Sequence, residues 1–179
     1  IYLSEKKLDN AIAQYEETLK KKADLPESHL MLGIIYDLKK DYKNAMESYR
    51  KALEINPKMA SAANNLAYNL LRDDSNDVNE AFNYAKIAKE SSPDNPGIMD
   101  TMGLAYYKKE LYGNAVNEFL DSLQKLPENA EIHYHLGMAY DKKGEPEKAI
   151  KQLETALELS DTFEGNEEAV KLLAEIKNR

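Results

Sequence analysis

The sequence predicts an all-α protein of stacked antiparallel helix pairs, and three observations lead there. The first is a period. Ala11, Ala45, Ala81, Ala115 and Ala149 are spaced 34, 36, 34 and 34 residues. Gly33, Gly103 and Gly137 are spaced 70 and 34, Tyr2, Tyr36, Tyr106 and Tyr140 are spaced 34, 70 and 34, and Pro57, Pro93 and Pro127 are spaced 36 and 34. All four series share one two-residue slip, so a single unit recurs along the chain. The second is helical apolar spacing inside each unit: Met31, Leu32, Ile35 and Tyr36, then the polar break Lys39-Lys40-Asp41-Tyr42, then Ala45, Tyr49, Ala52 and Leu53. The third is composition. Only 7 glycines and 6 prolines stand in 179 residues, too few for the turns of a sandwich or barrel.

The elements follow in order. Residues 1–25 read as the end of a first helix plus a second helix from Asp9 to about Lys22, so the chain opens mid-pattern. Full units follow at 26–59, 60–95, 96–129 and 130–163. Each is a helix, a tight turn and a second helix. Pro26, Pro96 and Pro146 fall in first turns, where the missing N–H costs nothing. Unit 60–95 carries the insertion and lacks the aromatics, so its helices are expected to pack closer. Residues 164–179 read as a capping helix with Ala169, Leu172, Leu173 and Ile176 on one face and Glu167, Glu168, Lys171, Glu175 and Lys177 on the other. The expectation is a natural C-terminal end and a truncated N-terminal one.

These residues resemble the tetratricopeptide repeat. That family places Leu-Gly and Tyr in the first helix, Ala, an aromatic and Ala in the second, and Pro after it. Here they are Leu32, Gly33, Tyr36, Ala45, Tyr49, Ala52 and Pro57. They recur as Met102, Gly103, Tyr106, Ala115, Phe119, Ser122 and Pro127, and as Leu136, Gly137, Tyr140, Ala149, Leu153 and Ala156. The copy with Leu66, Ala67, Leu70, Ala81, Ala85, Ala88 and Pro93 is the most divergent. The resemblance implies a right-handed α-solenoid whose first helices line a concave groove that holds a peptide or partner helix. It implies a scaffold and no enzyme. The runs Ala63-Asn64-Asn65-Leu66-Ala67 and Asp100-Thr101-Met102-Gly103 also resemble bacterial envelope-associated tetratricopeptide lipoproteins, so periplasm or envelope stands beside cytoplasm as a location.

Composition removes several chemistries. With no cysteine, disulfides, thiol catalysis and Cys-ligated metals are excluded. A net charge of −8 argues against nucleic acid as a partner. No apolar run is long enough for direct membrane insertion. No phosphate loop, dinucleotide fingerprint, nucleophile elbow or zincin motif is present. His29 and His133 share one repeat position and read as packing groups. His133 and His135 point to different helix faces, so they do not share a metal. Asp73, Ser75, Asp77 and Asn79 alternate as in a calcium loop. Val78 and Tyr84 stand where such a loop needs glycine and glutamate, so a polar turn capped by Asp77 is expected instead. No cofactor and no metal are expected.

The groove-facing positions that the resemblance implies can be read off. Unit 26–59 offers Glu27, Leu30, Met31, Ile34, Asp37 and Leu38. The candidate site takes Asn64, Asn65, Tyr68 and Arg72 from 60–95, Asp100, Leu104, Tyr107 and Lys108 from 96–129, and Tyr134, His135, Met138 and Lys142 from 130–163. The aromatics check this. Of 12 tyrosines and 3 phenylalanines, nine sit where the repeat itself uses an aromatic: Tyr2, Tyr15, Tyr36, Tyr42, Tyr49, Tyr106, Tyr112, Phe119 and Tyr140. Six remain: Tyr68, Phe82, Tyr84, Tyr107, Tyr134 and Phe163. Tyr68, Tyr107 and Tyr134 fall on groove positions, where a rigid ring with a polar tip suits peptide recognition; the other reading places them along the seam between repeats. Phe82 and Tyr84 fill space in their own repeat. Asn64 and Asn65 offer donors and acceptors to a ligand backbone. Arg72, Lys108 and Lys142 form a column that reads either as a basic edge for an acidic ligand or as cations at helix C-termini. The pairs Leu30/Ile34, Asn64/Tyr68, Asp100/Leu104 and Tyr134/Met138 lack the basic residues with which tetratricopeptide co-chaperones grip a carboxylate tail. The expected partner is therefore another protein or peptide, with a second copy docking at the exposed N-terminal end as the alternative.

Overall fold

A computed structural model describes residues 5–72 and 77–179. Tyr2, Asp73 and Ser75 lie outside the described residues. Ten α-helices and no strand are found among the described residues: α1 (Glu5–Lys21), α2 (Pro26–Leu38), α3 (Tyr42–Ile55), α4 (Ala60–Leu71), α5 (Val78–Ser91), α6 (Pro96–Lys108), α7 (Tyr112–Lys125), α8 (Ala130–Lys143), α9 (Pro146–Leu159) and α10 (Asn166–Lys177). The chain divides into two compact units, Ile1–Ser92 and Pro93–Arg179.

Local chemistry sets the helix starts. The Asp41 carboxylate accepts from the Asn44 N–H, Asp77 from Asn79, Asn95 from Gly97 and Ile98, and Asn129 from Ile132, each satisfying amides that the first turn leaves open. Asp77 thus caps α5. The helix ends of α2, α6 and α8 share one turn. The N–H groups of Asp41, Leu111 and Glu145 reach back to the carbonyls of Tyr36, Tyr106 and Tyr140, each at 2.9 Å, the six-to-one bond of a Schellman motif.

In the first unit, α2 pairs with α3 and α4 with α5, while α1 lies on α2. In the second, α6 pairs with α7 and α8 with α9, and α10 packs on α9 and α8. Tight small–large contacts bind the pairs. A Cβ on Gly33 would stand 2.3 Å from the Tyr49 ring, and one on Gly103 would stand 2.4 Å from Phe119. Only a hydrogen at these two positions lets the partner ring lie on the backbone. The divergent repeat replaces both sides by alanine: Ala62, Ala63, Ala67, Ala81, Ala85 and Ala88 are fully buried around Leu66. Ser122, also fully buried, donates to the Pro96 carbonyl at 2.8 Å and ties α7 to the start of α6. On α10, Ala169 and Ile176 are buried and Leu172 and Leu173 pack against the same core.

Candidate functional site

The first-helix face of the first unit is built from α2 and α4. Leu30 and Ile34 are half-buried on α2, whereas Met31 is 36% and Leu38 60% exposed. Met31 and Leu38 lie two turns apart and so share one side of the helix. The polar residues beside them form a network. Tyr49 donates to Asp37 Oδ2 at 2.5 Å, Asn69 donates to Asp37 Oδ1 at 2.7 Å, and Asn65 donates to the Tyr49 hydroxyl at 3.3 Å. Burial pushes the Asp37 carboxyl up, against the opposing pull of the Tyr49 and Asn69 bonds and the Arg72 charge. Burial, with the Asp37 carboxylate beside it, likewise pushes the Tyr49 phenol up. Asn65 is therefore engaged inside the unit. Its neighbour Asn64 is half-buried, and its Oδ1 is shut from solvent without a donor.

Arg72 is not a free edge cation. Its guanidinium lies 4.5 Å from the Tyr42 ring centroid and 5.6 Å from that of Tyr68, and it donates to the Tyr42 hydroxyl at 3.0 Å. It holds the half-buried Tyr68 ring in place by cation–π attraction.

In the second unit three of the expected groove residues, Asp100, Tyr134 and His135, are buried. His135 Nδ1 lies 2.9 Å from Asp100 Oδ1, and both side chains are enclosed. Burial opposes a charge on the ring, but the Asp100 carboxylate, with Glu131 and Glu164, outweighs it and raises the His135 pKa. Tyr134 packs on the His135 ring at 5.5 Å and on Phe163 at 5.9 Å. A Cβ on Gly165 would stand 2.3 Å from the Tyr134 ring, so the turn before α10 closes directly over it. Burial first, then Glu168 and Tyr107, push the Tyr134 phenol up to about 12. Phe163 and Gly165, outside the repeat's own pattern, supply the cover over Tyr134. Phe163 was the remaining aromatic without a role, and that was the signal for it.

The other positions stay nearer the surface. Leu104, Tyr107 and Met138 are half-buried against the core of this unit, and Tyr107 meets Tyr112 edge-on at 5.6 Å. Burial raises the Tyr107 phenol, with Tyr112 and Asp141 adding to it. Lys108 is half-buried in the last turn of α6, and Lys142 is exposed in the last turn of α8. His29 and His133 both reach a backbone carbonyl, Ala23 at 3.2 Å and Pro127 at 2.9 Å. Among the described residues no three His, Asp or Glu side chains converge to hold a metal, and no helix is long and apolar enough to cross a membrane.

A sequence model of the tetratricopeptide repeat matches residues 26–59 and 130–163. Those two segments are tetratricopeptide repeats. Solved structures share the fold of the chain. MamA from Desulfovibrio magneticus RS-1, residues 41 to the end, is 21% identical over 86% of this chain and 85% of its own, with a TM-score of 0.73. TTC0263, a thermophilic tetratricopeptide protein of Thermus thermophilus, is 19% identical over 97% and 92%, with a TM-score of 0.69. YrrB, described as a tetratricopeptide protein with an unusual peptide-binding site, is 22% identical over 94% and 86%, with a TM-score of 0.72. At these identities the likeness is one of fold. No curated protein sequence matches the chain. Tetratricopeptide repeats are in general protein-interaction scaffolds, and this chain carries that architecture.

Proposed function

We propose that the chain binds a peptide or partner helix on its first-helix faces, with α2 and α4 as the principal surface. The observation that carries this is the exposed pair Met31 and Leu38 on one side of α2, a helix that buries Ser28, Leu32, Gly33 and Ile35 elsewhere on its surface. Apolar side chains of that size exposed together mark a contact surface. Tyr68, steadied by Arg72, supplies a rigid ring beside it. Asn64 Oδ1 lacks a donor, an arrangement costing about 1–3 kcal/mol, and rotation of its amide toward a ligand N–H removes that cost. In the second unit Leu104, Tyr107, Lys108, Met138 and Lys142 remain as the contact positions, while Asp100, Tyr134 and His135 serve the core. The peptide-binding site named for YrrB supports a peptide as the ligand class.

The test uses peptides selected from a random displayed library on the intact chain, with affinities measured by calorimetry. Leu38→Asp and Tyr68→Ala are each expected to weaken binding about tenfold or more, with unchanged circular dichroism. Selected peptides that bind both variants as well as wild type overturn the assignment.

A second reading rests on α1. Ala45, Tyr49, Ala115 and Phe119 are fully buried, yet their counterparts Ala11 and Tyr15 are only half-buried. This face suits a second copy. Sedimentation of wild type and Tyr15→Asp decides it: a dimer that the substitution dissociates supports the contact, and a wild-type monomer at high concentration removes it.

A further inference from the structure

The second unit closes over Tyr134 with a segment that lies outside its helices. α9 ends at Leu159 and α10 begins at Asn166, and the turn between them carries Phe163, Glu164 and Gly165. Phe163 lies on the Tyr134 ring at 5.9 Å, and the backbone at Gly165 passes so close that a Cβ there would stand 2.3 Å from the same ring. Gly165 holds φ at 92°, and α10 starts on it with no side-chain cap, so the near end of this helix lacks a bond that would fix its first turn. The far end is pinned. Arg179 pairs with Asp141 and Lys177 with Glu154, each at 2.6 Å.

His135 stands beneath this cover. Its ring lies 5.5 Å from that of Tyr134, and its Nδ1 is 2.9 Å from Asp100 Oδ1. The carboxylates that act on it come from three segments: Asp100 on α6, Glu131 on α8 and Glu164 in the turn. α7 brings the Phe119 ring, and α10 brings Glu168, which acts on Tyr134. A protonated ring is a cation among acids, and it draws the turn toward α6 and α8 through Glu164. A neutral ring still donates Nδ1–H to Asp100, but Asp100, Glu131, Glu164 and Glu168 then stand near one another without that cation. Of the segments that carry them, the turn alone is not helical, and it opens at the lowest cost. The acids outweigh burial and hold the ring's pKa above 6.5, so the change falls above that value.

We propose that the turn 160–165 is a pH-sensitive cover: it closes on Tyr134 while His135 carries a proton and lifts about Gly165 when the proton leaves, baring Tyr134 on the first-helix face. The cover belongs to the second unit and stands whether or not α2 and α4 bind a peptide.

The test follows two amides at the hinge of the intact chain. Asn166 N–H donates to the Phe163 carbonyl at 3.2 Å, and Ala169 N–H to that of Gly165 at 2.8 Å. Their hydrogen-exchange protection, corrected for the intrinsic effect of pH, is measured from about pH 5.5 to about pH 9, across the imidazole range, beside amides of α7 that report unfolding of the whole unit. Hinge protection is expected to lie below that of α7 and to fall about threefold over the range, the worth of one partly exposed charge pair. The Tyr134–Phe163 ring contacts in nuclear Overhauser spectra weaken in step. Glu164→Gln, a substitution at an exposed position, removes most of the pH step, and His135→Gln, where it folds, removes it too. Flat hinge protection in wild type, hinge amides protected as strongly as those of α7 at the upper pH, or a Glu164→Gln variant that retains most of the step overturns the proposal.

Discussion

A tyrosine on a first helix can face a ligand or a neighbour, and its surroundings decide which. Tyr68 is half-buried, with the Arg72 guanidinium 5.6 Å from its ring centroid. Tyr134 is closed by Phe163 and the turn at Gly165. The same contrast holds for the polar residues. Asp37 and Asn69 stand 32 positions apart and satisfy each other, and Asp100 and His135 do so across 35. The His135 pair carries a pH signature. Its folded pKa is raised above the ordinary imidazole value of 6.5, so the pair contributes fully below that value. The contribution is lost as pH rises through the folded pKa, because the unfolded chain gives up its proton first. The groups that face the ring are Asp100, Glu131 and Glu164, with the rings of Phe119 and Tyr134 against it. The wild-type melting temperature is therefore expected to fall, relative to His135→Asn, as pH climbs upward from about 6.5. Parallel pH profiles for the two proteins would show that the pair makes no such contribution.

The helices themselves were largely legible. Pro26, Pro96 and Pro146 begin α2, α6 and α9, and Asp77 caps α5, because capping depends on residues within one turn. The turn conformation after α2 and α6 was not legible. Lys40 and Glu110 hold φ of 59° and 61°, where the matching position after α8 is Gly144 at 82°. The Schellman bonds demand a left-handed residue there, and the sequence supplies one with a Cβ in two of the three turns. A side chain in that region costs about 1–2 kcal/mol. Glu110→Gly is expected to raise stability by about 1 kcal/mol, and Gly144→Ala to lower it by about 1 kcal/mol. Urea midpoints measured at unchanged slope check both, and a destabilised Glu110→Gly would contradict the reasoning.

Across the whole molecule, protection is uneven. α1 buries only Leu8 to the degree of a core residue, while α4 and α6 bury seven residues each and α8 buries eight. Opening free energy follows such burial. Amide exchange is expected to be fastest in α1 among the described helices and slowest in α4, α6 and α8, and protection of α1 equal to theirs would refute this. The period of 34, the helix pairing and the small–large seams were determined by the sequence alone. Each rests on one unit's requirement repeated in register, as when Gly33 must be small because Tyr49 lies on it. Only the tertiary structure decided which groove-position side chains remain open. Whether Tyr134 or Asp100 meets a ligand depends on Phe163 at the far end of the same repeat and on His135 in the next one, and on how far those side chains reach, which no periodic pattern encodes.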